Sequence, residues 1–538
     1  MNEQRILNRA RVTAWSVDAL VIVALLASVA ASLWQGQYTI DHVHWGLMLS
    51  NAQDLVGGRV PYRDIFIQYG FLTTVVHALA YAFAGENLQA LIAVTATAYA
   101  LGVWLVFVLA KHLTGDTALS LYACATFLLF HPITIYPWSN YLAFPFLMLG
   151  LYGVVLAPST LAVLLTGVSF GLAVLMREGL APSVILFLLG SILIDLRSPD
   201  RDIRGSLRRG ALMILGALLP IAVFILYLVR QEIVSYWVGL SWSLPRIYMQ
   251  IQFPHMSGIG LAKPLLQQIT SGVLRLDVRW ILIAAMLIAN AATLLLFLLD
   301  RSARRVNPSS AKLALLSLVL ISSALHLPEI FRIATGSAVG LINLYIVLKA
   351  VRLQHLAFAG LAVAMAITIA PADSGENFSS TNYFFPSTEV IASATPVHAP
   401  KYFRSQRWDA QAQQFYAAIE NDLKDIARHC AVRYQYNYTY DVFLKVLSPF
   451  EQYQLAPFVT DSRMSALRRD FDVDAKIKDH RDLVIFQQTP NADVATFVPP
   501  PGFSVFRHYK TPRTNFLYRD NALLILIPTD CAAALVAR

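Results

Sequence analysis

The chain has 538 residues, 57% of them hydrophobic and only 14% charged, against roughly 25% charged in soluble domains, which excludes an ordinary water-soluble protein and points to a polytopic membrane protein. Its formal net charge of +9 is uneven: from residue 373 onward 18 basic and 18 acidic side chains cancel, so the whole excess lies in the apolar part. No basic run is interleaved with aromatics, so the excess suits cytoplasmic loops and lipid phosphates and excludes a nucleic-acid partner.

In chain order, a basic head leads into an apolar run from about 12 to 34 that only Asp18 interrupts. That run is too long for a secretory signal core and reads as an uncleaved anchor. Further charge-free runs lie at 88–110, 117–130, 142–157, 159–176, 179–194, 211–229, 280–299, 313–325, 333–348 and 356–372. The run "FLTTVVHALAYAFAG" (71–85) is ambiguous, and loop charge decides it. If it does not cross, the basic loops 197–209, 301–312 and 349–355 share the side of the basic N-terminus; if it crosses, they fall opposite. It is therefore read as a re-entrant or interfacial helix. The expected fold class is a polytopic α-helical membrane protein of about eleven transmembrane helices, with a C-terminal extracytoplasmic α/β domain. The N-terminus is expected in the cytoplasm, residues 1–372 in a membrane domain, and 373–538 in the periplasm of a bacterium.

The first outer loop (35–87) opens with "DHVHWG" (41–46), which clusters Asp41, His42 and His44 at the rim of the first span. Residues 45–56 place apolar side chains at helical spacing, an interfacial helix with its apolar side expected toward lipid. "GGRVPYRDIFIQYG" (57–70) then breaks the helix and returns Arg59, Tyr62, Arg63 and Asp64 toward the membrane surface. The next outer loop, "HPITIYPWSNY" (131–141), has no carboxylate. Arg177 and Glu178 form an outer turn. The outer loop 230–279 holds Trp237, Trp242, Tyr248 and His255, either belt anchors or a lid. "HLPEIFR" (326–332) spaces His326, Glu329 and Arg332 by three, one side of a helical turn.

From 373 the composition changes to many charges and regular turns. "DAQAQQFYAAIENDLKDIARHC" (409–430) reads as an amphipathic helix, and "LVIFQQ" (483–488) and "NALLILIP" (521–528) as buried strands, which together make a small α/β domain. "VRYQYNYTYDV" (432–442) alternates tyrosines as a strand with one aromatic face, either a sugar-stacking surface or a face packed inside the sheet. Cys124 reads as buried packing. Cys430 and Cys531 share the tail, where they either pair or stay free and buried.

An Asp-led cluster after the first span, an interfacial helix, then "GGRVPYRD" and "QYG" before an apolar run resemble the GT-C superfamily of integral-membrane glycosyltransferases, in particular the bacterial family-39-like members. The resemblance runs along residues 1–372 and includes "YPWSNYLAFPFLMLGLY" (136–152), "LMREGLAPSVIL" (175–186) and the late Arg332. It implies a polyprenyl-phosphate sugar as donor, Asp41 as the catalytic base, and arginines that hold the phosphate, for which Arg63, Arg177 and Arg332 are chosen. His44, Arg59, Tyr62, Glu178 and Glu329 complete the candidate substrate contacts. Where many relatives carry a second acidic residue beside the first, this chain has His42. With no carboxylate in 131–141, no cofactor is expected and a divalent metal is disfavoured, Glu329 being the one obvious late ligand. The function so implied is transfer of a sugar, with inversion, to an acceptor glycan, lipid or protein on the periplasmic side. The alternatives are a lipid-linked glycan polymerase or ligase that uses a diphosphate carrier, and a flippase or transporter of lipid-linked sugars, although no internal repeat of the transporter kind is seen.

Blander readings stand beside these. Asp41 is also a good N-cap. His42 and His44 make either interfacial hydrogen bonds or, with Asp41, a metal group. Arg59 and Arg63 suit lipid head groups, Arg177–Glu178 a self-contained ion pair, and the 326–332 triplet a structural network.

Overall fold

The computed structural model describes residues 2–38, 41–129, 138–156, 159–198, 202–246, 260, 262–299, 306–325, 332–333, 335–356, 359, 388–453, 482–512 and 521–536. Most of the expected span 356–372, the domain boundary at 373 and Glu329 lie outside them. The first part of the chain is helical: α1 (Asn2–Gly36), α2 (His44–Val56), α3 (Phe71–Ala84), α4 (Leu88–Thr114), α5 (Thr117–Leu129), α6 (Ser139–Leu156), α7 (Thr160–Met176), α8 (Ala181–Arg197), α9 (Ile203–Arg230) and α10 (Val234–Val238), followed by helices Lys263–Leu274, Val278–Leu299, Pro308–Leu320 and Leu341–Ala350.

About 20 residues at 1.5 Å each are needed to cross a bilayer core. Six stretches among the described residues are long and apolar enough: Val17–Gly36, Leu88–Thr114, Ser139–Leu156, Glu178–Arg197, Ile203–Arg230 and Val278–Leu299. Helices α3, α5, α7, Pro308–Leu320 and Leu341–Ala350 are apolar but shorter than these. The run expected from 333 becomes helical only at Leu341, after a 3-10 turn Ser337–Gly340. Leu20, Leu26, Leu186, Val223, Leu226 and Ile288 stud the outer surfaces of the long helices and are exposed rather than packed in a protein core, as suits a lipid surround.

Small residues let the helices approach closely. At the α7–α9 crossing a Cβ on Gly167 would collide with the Met213 carbonyl, and one on Gly216 with the Leu164 carbonyl. Side-chain caps start α4 (Asn87 accepts from the Ala90 N–H) and α7 (Ser159 from the Ala162 N–H). Asp18, the one charge in the first apolar run, pairs with Lys111 at 2.8 Å; Asp195 with Lys312 (2.6 Å) and Asp116 with Lys349 (3.0 Å) tie other helix ends.

The tail is an α/β domain. Strands β1 (Thr395–Pro396) and β2 (Arg407–Trp408) form a small ribbon. Strands β3 (Tyr434–Tyr438), β4 (Glu451–Gln452), β5 (Leu483–Pro490), β6 (Phe503–Lys510) and β7 (Asn521–Pro528) form a sheet of order β4-β3-β5-β7-β6. β3 runs parallel to β4 and β5, and β7 antiparallel to β5 and β6. Helix Ala410–His429 buries Ala412, Phe415, Tyr416, Ile419, Leu423 and Ile426 at the spacing of one helical face. Cys430 and Cys531 form a disulfide, and Cys124 is free and buried. The tyrosine strand takes the packed reading: Tyr436 is 2% exposed, and Tyr434 and Tyr438 lie half-buried around Leu483, Ile485, Leu524 and Leu526.

One expectation is corrected. The apolar side of α2 does not face lipid. Every residue from Trp45 to Ala52 is buried, because α3 and α4 cover one side of the helix and the short tail helix Phe443–Leu447 another.

Candidate functional site

Asp41 lies between the end of α1 and the start of α2. Its Oδ1 accepts from the backbone N–H groups of Val43 (3.2 Å) and His44 (2.8 Å), so the carboxylate does start the helix. The His44 ring Nδ1 lies 3.1 Å from Oδ2 and 3.2 Å from Oδ1. Burial pushes the Asp41 carboxyl up, but the facing His44, its hydrogen bonds and the nearby His42 outweigh burial and hold it below the usual carboxylate range. It is therefore ionised at neutral pH.

The His44 ring meets Trp138 edge-on, with centroids 5.7 Å apart. The Arg332 guanidinium lies over that indole, 4.1 Å from its centroid. Arg177 ends α7, its N–H still bonded to the Ala173 carbonyl while its backbone turns extended. Burial, and then the like charge of Arg332, lower the Arg177 guanidinium to about 10, which leaves it charged at neutral pH. Asp41, His44 and Arg332, all candidates chosen from the sequence, are thus linked through one indole, and Arg177 lies near enough to Arg332 to feel its charge. Trp138 sits inside the quoted "YPWSNY", but nothing in its spacing marked it as the bridge.

The remaining candidates form a separate structure. The Tyr62 hydroxyl donates to Glu178 Oε1 at 2.5 Å, and the Trp237 indole N–H to Oε2 at 3.3 Å. Tyr62 is fully buried at φ +67°, its N–H bonded to the Ile65 carbonyl. Burial, and then the Glu178 charge, raise its phenol well above the usual range. This latch joins the segment between α2 and α3, the α7–α8 turn and α10, and so fixes the residue beside Arg177. Thr73 adds to the same anchoring, since its hydroxyl donates to the Met176 carbonyl at 2.8 Å. Arg59 and Arg63 are engaged by carboxylates of their own segment: Arg59 with Asp54 (3.5 Å), and Arg63 with Asp64 through two bonds of 2.9 and 3.0 Å. Among the described residues no group of three or more His, Cys, Asp or Glu side chains is placed to hold a metal ion.

The arrangement offers an ionised carboxylate backed by imidazole, and beside it two guanidiniums held near one another. Such a pair can accept a proton and hold an anion.

No protein-family model matches the sequence, and no curated protein sequence matches it. Among solved structures the chain is similar to ArnT from Cupriavidus metallidurans in the apo state, at 13% identity and a TM-score of 0.42, over 96% of this chain and 98% of that one. It is also similar to the Archaeoglobus fulgidus oligosaccharyltransferase in complex with Zn and sulfate, at 14% identity and a TM-score of 0.41. That match covers 80% of this chain and 62% of the archaeal one, so the chain spans less than two thirds of its length. Likenesses at these scores assign neither activity nor residues.

Proposed function

We propose that the chain is a membrane glycosyltransferase of the GT-C type, which moves a sugar from a polyprenyl-phosphate carrier to an acceptor glycan, lipid or protein. The observation that carries this reading is the continuous set of contacts Asp41–His44–Trp138–Arg332, with Arg177 beside it. Arg332 stands close enough to Arg177 to disfavour the Arg177 charge, and an anion between the two guanidiniums relieves that repulsion. An ionised carboxylate near the same indole suits deprotonation of an acceptor hydroxyl.

In the proposed step the acceptor oxygen attacks the anomeric carbon and its proton passes to Asp41. The bond from that carbon to the phosphate oxygen breaks, and its electron pair stays on the polyprenyl phosphate. Arg332 and Arg177 hold the charge that grows there, a stabilisation larger in the transition state than in the bound donor. Attack opposite the leaving phosphate inverts the anomeric centre. His44 orients the carboxylate. The two arginines supply the positive charge, so the reaction is proposed to need no divalent metal and no cofactor.

The reaction side is proposed to be the periplasmic face of a bacterial inner membrane, with the N-terminus cytoplasmic. The Cys430–Cys531 disulfide supports an oxidising compartment for the tail.

The test is transfer by the full chain in nanodiscs, with cell-envelope lipid extracts fractionated into polyprenyl-monophosphate and polyprenyl-diphosphate sugars. Transfer from the monophosphate fraction, retained in EDTA, is expected. Transfer from the diphosphate fraction alone would replace this reading with a polymerase or ligase. Movement of either lipid between leaflets without transfer would replace it with a flippase.

A further inference from the structure

Helix α2, which Asp41 precedes and His44 opens, is held along its length by the tail domain. At its start the Val442 N–H donates to the His42 carbonyl at 3.1 Å. One turn on, Gly46 lies against the same segment: a Cβ there would stand 3.1 Å from Val442 Cβ and 3.2 Å from Phe443 Cδ1. At the far end the Lys445 ammonium pairs with Asp54, each side chain 10% exposed, and the Gln53 amide donates to the Tyr402 hydroxyl at 3.3 Å.

The turn that presents Val442 is built from buried polar groups. Asp441 is fully buried. Its carboxylate accepts from the Phe443 N–H and from the Tyr416 hydroxyl, each at 2.9 Å. Its N–H donates to Thr439 Oγ1 at 2.9 Å, and the Asn437 amide donates to its carbonyl at 2.9 Å. Asn437 in turn accepts from the N–H and the hydroxyl of Thr439 at 3.0 and 2.8 Å. Phe443 is then clamped among Phe403 and Trp408, with centroids 4.5 and 6.0 Å away. A satisfied buried network of this kind rigidifies and specifies one local geometry. An apolar turn would serve the sheet equally well but would leave the direction of the Val442 N–H loose.

We infer that Asp441 is a positioning residue for Asp41: the turn 437–443 sets, through the Val442 N–H and the His42 carbonyl, where the Asp41 carboxylate stands. This rests on the base role proposed for Asp41, while the coupling between the two segments is testable without it. Misplacement of a reacting group by about 1 Å costs on the order of 10²-fold in rate.

The experiment uses the full chain in nanodiscs with three variants. Asp441→Ala removes both acceptors. Asp441→Asn keeps an oxygen for the Phe443 N–H and an amide for the Tyr416 oxygen. Gly46→Ala leaves the tail domain untouched and favours the helix, but presses on Val442. The first readout is backbone hydrogen exchange. Asp441→Ala is expected to speed exchange at 41–47 by about tenfold or more while β5 and β7 stay protected, and Asp441→Asn to restore wild-type protection. Unchanged exchange at 41–47, or equal loosening of the sheet, overturns the inference. The second readout is transfer from the monophosphate lipid fraction. Asp441→Ala and Gly46→Ala are expected to lower kcat by about 10²-fold with donor KM within about twofold, and Asp441→Asn to restore it; a change in KM alone overturns the positioning role. If the wild type shows no transfer, the functional reading fails, and exchange still decides whether the turn holds the Asp41 loop.

Discussion

At Asp41 the helix-start contacts and the proposed general base fall on one carboxylate. Its carboxylate starts α2 through two N–H bonds and meets His44 with the other oxygen. Asn caps about as well as Asp but cannot take up the proton. Asp41→Asn should therefore leave the thermal unfolding midpoint unchanged while kcat falls by about 10²–10⁴-fold; wild-type turnover would leave the residue only its cap. The pH dependence has a definite sign. The folded carboxyl lies below its ordinary 3.8, so its bonds stabilise the fold at every pH above that value and lose this contribution as pH falls through the folded pKa. The stability gap between wild type and Asp41→Ala should narrow as pH falls below 3.8 and through the folded value, as measured by chemical unfolding at stepped pH. At Arg332 the planar stacking on Trp138 matters as well as the charge. Arg332→Lys keeps the charge and loses the plane, and should raise donor KM by about tenfold, a change of about 1.4 kcal/mol.

At the scale of elements, positions are set where helices lock to one another rather than where they meet lipid. The Tyr62–Glu178–Trp237 latch anchors the turn that carries Arg177. Tyr62→Phe removes the donor and leaves a half-buried carboxylate short of a partner, a loss of about 1.5–3 kcal/mol for a bond to a charged group. Its expected signature is a lower unfolding midpoint together with a higher donor KM, because the Arg177 turn loosens. The α7–α9 crossing is close enough that Gly167→Leu would drive a side chain into the Met213 carbonyl. That substitution should cost about 1–3 kcal/mol or more, read as earlier unfolding in detergent. The misjudged orientation of α2 belongs here too: its residues are amphipathic in sequence, but the side taken for lipid-facing is covered by α3, α4 and the tail.

For the whole molecule, the tail domain is both stapled and docked. The disulfide closes a sequence separation of 101 residues, and its removal by Cys430→Ser should lower the stability of the domain by about 2–4 kcal/mol, visible as a lower midpoint on reduction of the wild type but not of the variant. The domain reaches the membrane part through Arg407 N–H to Gln37 carbonyl (2.6 Å), Lys401 to Glu86 (2.7 Å) and Lys445 to Asp54. If the proposed orientation holds, an impermeant thiol reagent applied to intact cells labels a cysteine placed in the exposed loop at Val498 and spares one placed at Arg352.

What the sequence by itself determined follows from composition and period. Long uncharged runs must become helices where water is absent, because only a helix satisfies its own backbone there. Alternating and 3.6-residue patterns likewise mark the tail strands and the helix Ala410–His429. The cluster at 41–44 and the arginines 177 and 332 were also legible, since charge at the rim of a span stands out against its surroundings. The tertiary structure alone decided which of these meet. Trp138 bridges His44 to Arg332, Tyr62 and Glu178 form a latch, and Val442 bonds His42 from 400 positions away, because such contacts depend on crossing angles and close approaches between elements that no local pattern encodes.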